Sequence, residues 1–109
     1  MALTHITRLA FGRAIPTGEA VSDAEWRNFA VRELAPRFPD GFTVIHVEGG
    51  WRDAATGQTI REPSTIVEVA HGGSDEERRA ILALARAYKL IFQQDAVMAT
   101  TVPATVEFI

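Results

Sequence analysis

The stretch from residue 49 to 64, GGWRDAATGQTIREPS, carries several side chains suited to chemistry. Trp51 offers a large aromatic surface, Arg61 a planar guanidinium for a carboxylate or phosphate, and Glu62 a carboxylate suited to general base catalysis. His46 lies just before this stretch, and imidazole titrates near neutral pH. We therefore take His46 and Glu62 as candidate catalytic residues, and Trp51 and Arg61 as candidate ligand-binding residues.

Two further candidates lie outside this stretch. Arg13 follows the first predicted strand, and together with Arg61 it would orient a small anionic organic ligand. Tyr88 falls on the apolar stripe of the second predicted helix, with a hydroxyl that can reach a partner.

Each candidate also has a structural interpretation. His46 and Tyr88 would then be hydrogen-bonded core or interface residues. The arginines Arg13, Arg37 and Arg61 would form ion pairs, with Glu62, Asp40 or Asp53 as partners.

Composition and charge exclude several classes of protein. The 109 residues include no Cys and only three scattered His, which argues against a metal site, and they contain no dinucleotide or phosphate-loop fingerprint, so no cofactor is expected. A net charge of -3 and a pI near 5.5 oppose nucleic-acid binding. No apolar run is long enough for a signal peptide or a membrane span, so we expect no membrane association and a cytoplasmic protein.

The pattern of apolar residues predicts four strands and two helices in one domain, residues 1–109. Alternation predicts strands at Leu3 to Gly12, Phe42 to Glu48, Thr65 to Ala70 and Ala96 to Ile109. The capping-box sequences SDAE at Ser22 and SDEE at Ser74 each begin a helix. The first helix should end near Ala35, because Pro36 follows it. The second carries an apolar stripe made up of Ile81, Leu84, Ala85, Tyr88, Ile91 and Phe92.

The order β, α, β, β, α, β predicts an α+β, ferredoxin-like fold with a four-stranded antiparallel sheet and both helices on one face. The strands carry apolar residues on both faces, so something must cover the second face. A second copy of the chain is the simplest cover. Two sheets packed face to face would form a dimeric α+β barrel, and an edge-to-edge homodimer is the alternative.

The hairpin between the second and third strands departs from this simple sheet. A turn at DAATG would place Trp51 near Ile60, and Gly49 and Gly50 would allow a bulge. Pro63 does not suit an internal strand. We therefore expect the hairpin to leave the sheet as an arm that serves either assembly or a site.

Several segments together resemble a bacterial family called domain of unknown function 3574. The matching segments are FGR at Phe11, SDAEW at Ser22, PRFPDGFTV at Pro36, GGWRD at Gly49, REPS at Arg61, and Tyr88 through FQQDAV. The family tends to read FGQESV in that last segment, so Gln93, Asp95 and Ala96 here replace Gly, Glu and Ser. The resemblance implies a small bacterial protein of this fold and no particular reaction.

Two functions of different class follow from these features. The first is a cofactor-independent enzyme of the dimeric α+β barrel type, with isomerase, cyclase or oxygenase-like chemistry on a small molecule. The second is a non-catalytic homodimeric module that binds a ligand or another protein. In the second, the candidate residues would hold the subunits together.

Overall fold

The computed structural model describes residues 2–109 and contains the predicted order of strands and helices. The strands are β1 (His5–Gly12), β2 (Thr43–Arg52), β3 (Thr59–His71) and β4 (Met98–Pro103). The helices are α1 (Asp23–Phe29), α2 (Ala35–Arg37) and α3 (Asp75–Phe92). A π-helical segment, Ala30–Leu34, joins α1 to α2 without a break. Within residues 2–109, no helix is both long and apolar enough to cross a bilayer.

The four strands form one antiparallel sheet in the order β2-β3-β1-β4. This order and the helical connections make the domain α+β and ferredoxin-like, as predicted. β4 lies at an edge of the sheet and ends at Pro103, which pairs with His5. Its position agrees with the expectation that a strand containing proline avoids the centre of a sheet.

The core lies between the helices and one face of the sheet. Leu9 and Phe11 of β1 alternate with exposed or half-buried residues, and so do Val67 and Val69 of β3; none of the four is more than 1% exposed. The helical segments contribute Trp26, Phe29, Leu34, Ile81, Leu84, Tyr88 and Phe92, and Val21 from the loop before α1 completes the buried apolar set. Both predicted capping boxes are present, at Ser22 and Ser74.

Two predictions about the helices were wrong. Ile91 was expected on the buried stripe of α3, yet it is 52% exposed, because the stripe follows Leu84, Tyr88 and Phe92 at intervals of four and leaves Ile91 at its margin. The first helical segment also continues past Ala35 to Arg37. The Ala35 N–H donates to the Ala30 carbonyl five residues back, and this wide π turn leaves room for the proline that follows.

The β2–β3 hairpin extends beyond the end of β1 as a two-stranded ribbon. Its register runs unbroken to the last pair, so Trp51 faces Ile60 as predicted, but Gly49 and Gly50 form no bulge. The Pro63 carbonyl accepts a hydrogen bond from the Arg13 N–H at 3.0 Å, on the side where β1 ends. The Pro63 nitrogen also points toward β1 and away from β2. The missing N–H of Pro63 therefore removes no hydrogen bond between β2 and β3.

Candidate functional site

The sheet face that carries no helices, called the helix-free face below, presents Trp51 and Glu62 side by side. Trp51 is 54% exposed, whereas Trp26 in the core is 3% exposed. The Trp51 indole N–H donates to Glu62 Oε1 at 3.3 Å across the ribbon. Ile60 pairs with Trp51 in the register and lies on the same face. The ribbon therefore displays an aromatic surface with a carboxylate at its edge.

The rest of the helix-free face is apolar around one ion pair. Arg8 on β1 and Glu68 on β3 face each other directly, with 2.8 Å between Arg8 Nε and Glu68 Oε2. A shallow depression of about 350 Å³ surrounds this pair and is lined by Ile6, Arg8, Glu68, Thr100 and Val102. The more exposed apolar side chains of the face are Ile45, Val47, Met98 and Val102. A soluble chain rarely leaves such a face uncovered.

His46 and Arg61 lie on the opposite face of the same ribbon. His46 pairs with Thr65, and its Nδ1 lies 3.0 Å from Thr65 Oγ1. The imidazole also packs edge-on against the Trp26 ring, with 6.4 Å between centroids. Because neighbouring residues of a strand alternate between faces, Arg61 points away from Glu62. The candidate residues of the ribbon thus form two groups. Trp51 and Glu62 lie on the helix-free face, and His46 and Arg61 lie on the opposite face.

Arg13 is buried, and its guanidinium is bonded within the subunit. Nε and Nη2 both donate to the Val21 carbonyl, at 2.9 and 2.7 Å, and Nη2 also donates to Asp23 Oδ1 at 2.8 Å. This ion pair holds the pKa of Asp23 below its usual value. The partner of Arg13 is therefore none of the three carboxylates expected from the sequence. Arg37 likewise pairs with Glu33, at 2.6 Å, rather than with Asp40.

Tyr88 is fully buried, and its hydroxyl donates to the Gly12 carbonyl at 2.6 Å. Burial raises the pKa of the phenol to about 12. The ring packs among Phe11, Phe29 and Phe92. Tyr88 therefore joins α3 to the end of β1, in agreement with its structural interpretation.

A polar cluster centred on His71 was missed in the sequence. His71 Nδ1 accepts from the Gly73 N–H at 3.1 Å, so Nε2 carries the proton and donates to Thr7 Oγ1 at 2.7 Å. Thr7 Oγ1 in turn lies 2.7 Å from Thr101 Oγ1. With this tautomer, His71 cannot accept a proton from Thr7, so the cluster is structural. Alternation with Val67 and Val69 was the signal that His71 faces the core.

A family model described as a protein of unknown function (DUF3574) matches residues 6–108. The chain belongs to this family. The match spans nearly the whole chain and confirms the resemblance noted from its sequence segments. The description of the family assigns no activity.

Solved structures share the fold at low sequence identity. A phage SAM lyase in complex with S-methyl-5'-thioadenosine is 14% identical, with a TM-score of 0.69 over 100% of this chain and 95% of the lyase chain. CutA from Synechococcus elongatus is 8% identical, with a TM-score of 0.57 over 96% of this chain and 80% of the CutA chain. No curated protein matches the chain significantly. At these identities the likeness establishes the fold alone.

Proposed function

We propose that this protein is a cofactor-independent enzyme acting on a small organic molecule, with its site on the helix-free face around Trp51 and Glu62. The observation that carries the proposal is the exposed indole of Trp51 hydrogen-bonded to the Glu62 carboxylate, on a face that is otherwise mainly apolar. Binding sites combine such apolar and aromatic walls with a few placed polar groups. No other exposed tryptophan exists among residues 2–109.

In this proposal Trp51 binds a planar group of the substrate and Glu62 is the acid–base residue. One carboxylate oxygen of Glu62 accepts the indole N–H at 3.3 Å, and the other oxygen is left for a substrate proton. His46 does not share this role, because it lies on the other face of the ribbon.

Neither of the arginines first considered for an anionic ligand lies at this site. Arg13 is bonded within the core, and Arg61 lies on the opposite face from Glu62. Arg8 lies on the helix-free face, but it pairs with Glu68, which is six residues along β3 from Glu62 and therefore about 20 Å away. We therefore assign no cation of the same subunit to the site around Trp51 and Glu62.

We further propose that the working unit is a homodimer, because Trp51 and Glu62 lie on an open sheet face in the single subunit. A second copy over the helix-free face would enclose it and exclude water, which strengthens electrostatic interactions inside. The phage SAM lyase, solved with S-methyl-5'-thioadenosine, illustrates that a chain of this fold holds a small ligand with a planar ring. That compound is therefore a rational first probe.

The alternative function is a non-catalytic homodimeric module that binds a ligand or another protein. The exposed apolar face supports it equally, since assembly alone would explain that face. The two functions differ in what Glu62→Gln does, because this change removes the proton acceptor and preserves the shape of the side chain.

The test is a screen for binding and turnover that starts from S-methyl-5'-thioadenosine and related nucleosides, with affinity measured by titration calorimetry. Under the proposal, a compound that binds the wild type binds Trp51→Ala at least tenfold more weakly, and Glu62→Gln stops its turnover. Arg61→Gln is the matched control, because it is the next residue on the opposite face and should change neither. Loss of assembly instead of turnover in Glu62→Gln would favour the non-catalytic module.

A further inference from the structure

The helix-free face has a charge arrangement that complements itself. Arg8 and Glu68 lie on the two central strands of the sheet and form a cross-strand pair. Their side chains are 63% and 29% exposed, so both can reach a second partner. The surrounding side chains on the four strands are mainly apolar or uncharged, and include Ile6, Ile45, Ile66, Met98, Thr100 and Val102.

We infer that a second copy of the chain covers this face and that Arg8 of each copy pairs with Glu68 of the other. A twofold axis between the two sheets, parallel to the strands and midway between β1 and β3, places each Arg8 opposite a Glu68. The same axis keeps the strands of both sheets aligned, as in other face-to-face sheet packings. The inference rests on the homodimer in the proposed function and adds its surface and the pair that sets its register.

The charge pair explains why the occupant is a second copy. An apolar face alone would accept many partners, whereas adjacent opposite charges at its centre require the reverse order of charges on the partner. The twofold operation supplies that order without any other protein. Because the Arg8–Glu68 pair is exposed in the single subunit, it contributes little to the stability of that subunit.

The test uses two single variants, Arg8→Glu and Glu68→Arg, and measures subunit count by native mass spectrometry. Each variant alone puts four like charges at the interface, so each should be monomeric at a concentration where the wild type is dimeric. Mixed in equal amounts, they should form a mixed dimer, because two negative charges then face two positive ones. Two single variants that dimerise like the wild type would overturn the inference. So would a wild-type monomer, or a failure of the two monomeric variants to associate when mixed.

Two further variants distinguish disruption of this interface from misfolding of the subunit. Met98→Lys places one charge on the apolar part of the face and should abolish the dimer, whereas Leu90→Lys on the outside of α3 should retain it. Circular dichroism checks that each variant is folded, and loss of the dimer in both lysine variants or in neither would count against this surface. Ligand binding is measured separately with Trp51→Ala. A dimer that binds no ligand would therefore contradict the proposed function and leave this interface standing.

Discussion

His46 and Glu62 lie on opposite faces of the β2–β3 ladder, although each was a candidate for the same acid–base role. Both are close in sequence to Trp51, but only Glu62 shares its face and its hydrogen bond. Under the proposed function, a substrate bound to the helix-free face of one subunit would meet Glu62 and not His46 of that subunit. The two candidates can therefore be tested separately.

Replacing His46 should affect stability rather than ligand binding. His46→Ala removes the hydrogen bond to Thr65 and the contact with Trp26, and should lower the free energy of unfolding by about 1 kcal/mol. Urea denaturation measures this loss, and titration with the bound compound measures affinity. If His46→Ala abolished binding while stability was unchanged, the assignment of the site to the helix-free face would be wrong.

Removing the Tyr88 hydroxyl should destabilise the fold. Tyr88→Phe leaves the Gly12 carbonyl without its 2.6 Å donor at a buried position, which should cost about 1–2 kcal/mol. The folded protein holds the phenol proton up to a pKa of about 12, above the ordinary value of 10.0. Wild-type stability should therefore fall as the pH rises through this interval, because the unfolded chain loses the proton first. Denaturation of both proteins at pH 9 and 11 checks this, and an equal fall in Tyr88→Phe would contradict it.

His71 should make the protein less stable in mild acid. Burial lowers the pKa of His71 below its usual value of 6.5, and protonation of Nδ1 would break its bond from the Gly73 N–H. Glu77 opposes this shift, and the stacked His5 adds to it. The unfolded chain binds the proton first as the pH falls below 6.5, so stability should decline there and be fully retained above it.

The measurement for His71 compares unfolding free energies between pH 7.5 and 5 in the wild type and in His71→Asn. The asparagine variant does not titrate at this position and should show a flatter profile, although it is less stable at pH 7.5. Equal slopes in the two proteins would assign the acid sensitivity to other groups.

A single glycine should stabilise the end of α3. Gln93 has φ of 55°, a left-handed conformation that favours glycine. The resemblance noted in the sequence points the same way, because the family tends to read FGQESV here, with Gly in place of Gln93. Gln93→Gly should therefore raise the free energy of unfolding by about 0.5–1 kcal/mol. Thermal and urea unfolding measure it, with Gln93→Ala as the control that keeps the strain. If Gln93→Gly lowered the free energy of unfolding, the interactions of the Gln93 side chain would stabilise the fold by more than its left-handed backbone destabilises it.

Most of the fold followed from local patterns in the sequence. The capping boxes at Ser22 and Ser74, the alternation in β1 and β3, and the turn at Gly57 each depend on neighbouring residues, and all are present. The continuation of the first helical segment to Arg37 was not predicted, because local patterns do not show a π turn that accommodates Pro36; this turn lies beside Leu34, which is buried in the core.

The sequence predicts only in part which candidate residues lie together on one face of the sheet. Strand alternation places Glu62 and His46 on opposite faces once the pairing register is known, and a turn sequence such as DAATG does not fix that register to the residue. The partner of Arg13 was not predictable, because Asp23 and the Val21 carbonyl reach it only when the loop after β1 folds back. The exposed apolar face was predicted from the sequence, and the structure shows its central Arg8–Glu68 pair.

Native mass spectrometry of the freshly purified protein tests the central claim most directly, because one spectrum reports subunit count and any retained small molecule. We predict a dimer that carries a defined extra mass in the wild type and loses that mass in Trp51→Ala while remaining a dimer. A wild-type monomer with no added mass, at concentrations where purified homodimers persist, would contradict the claim that a second copy completes a ligand site on the helix-free face.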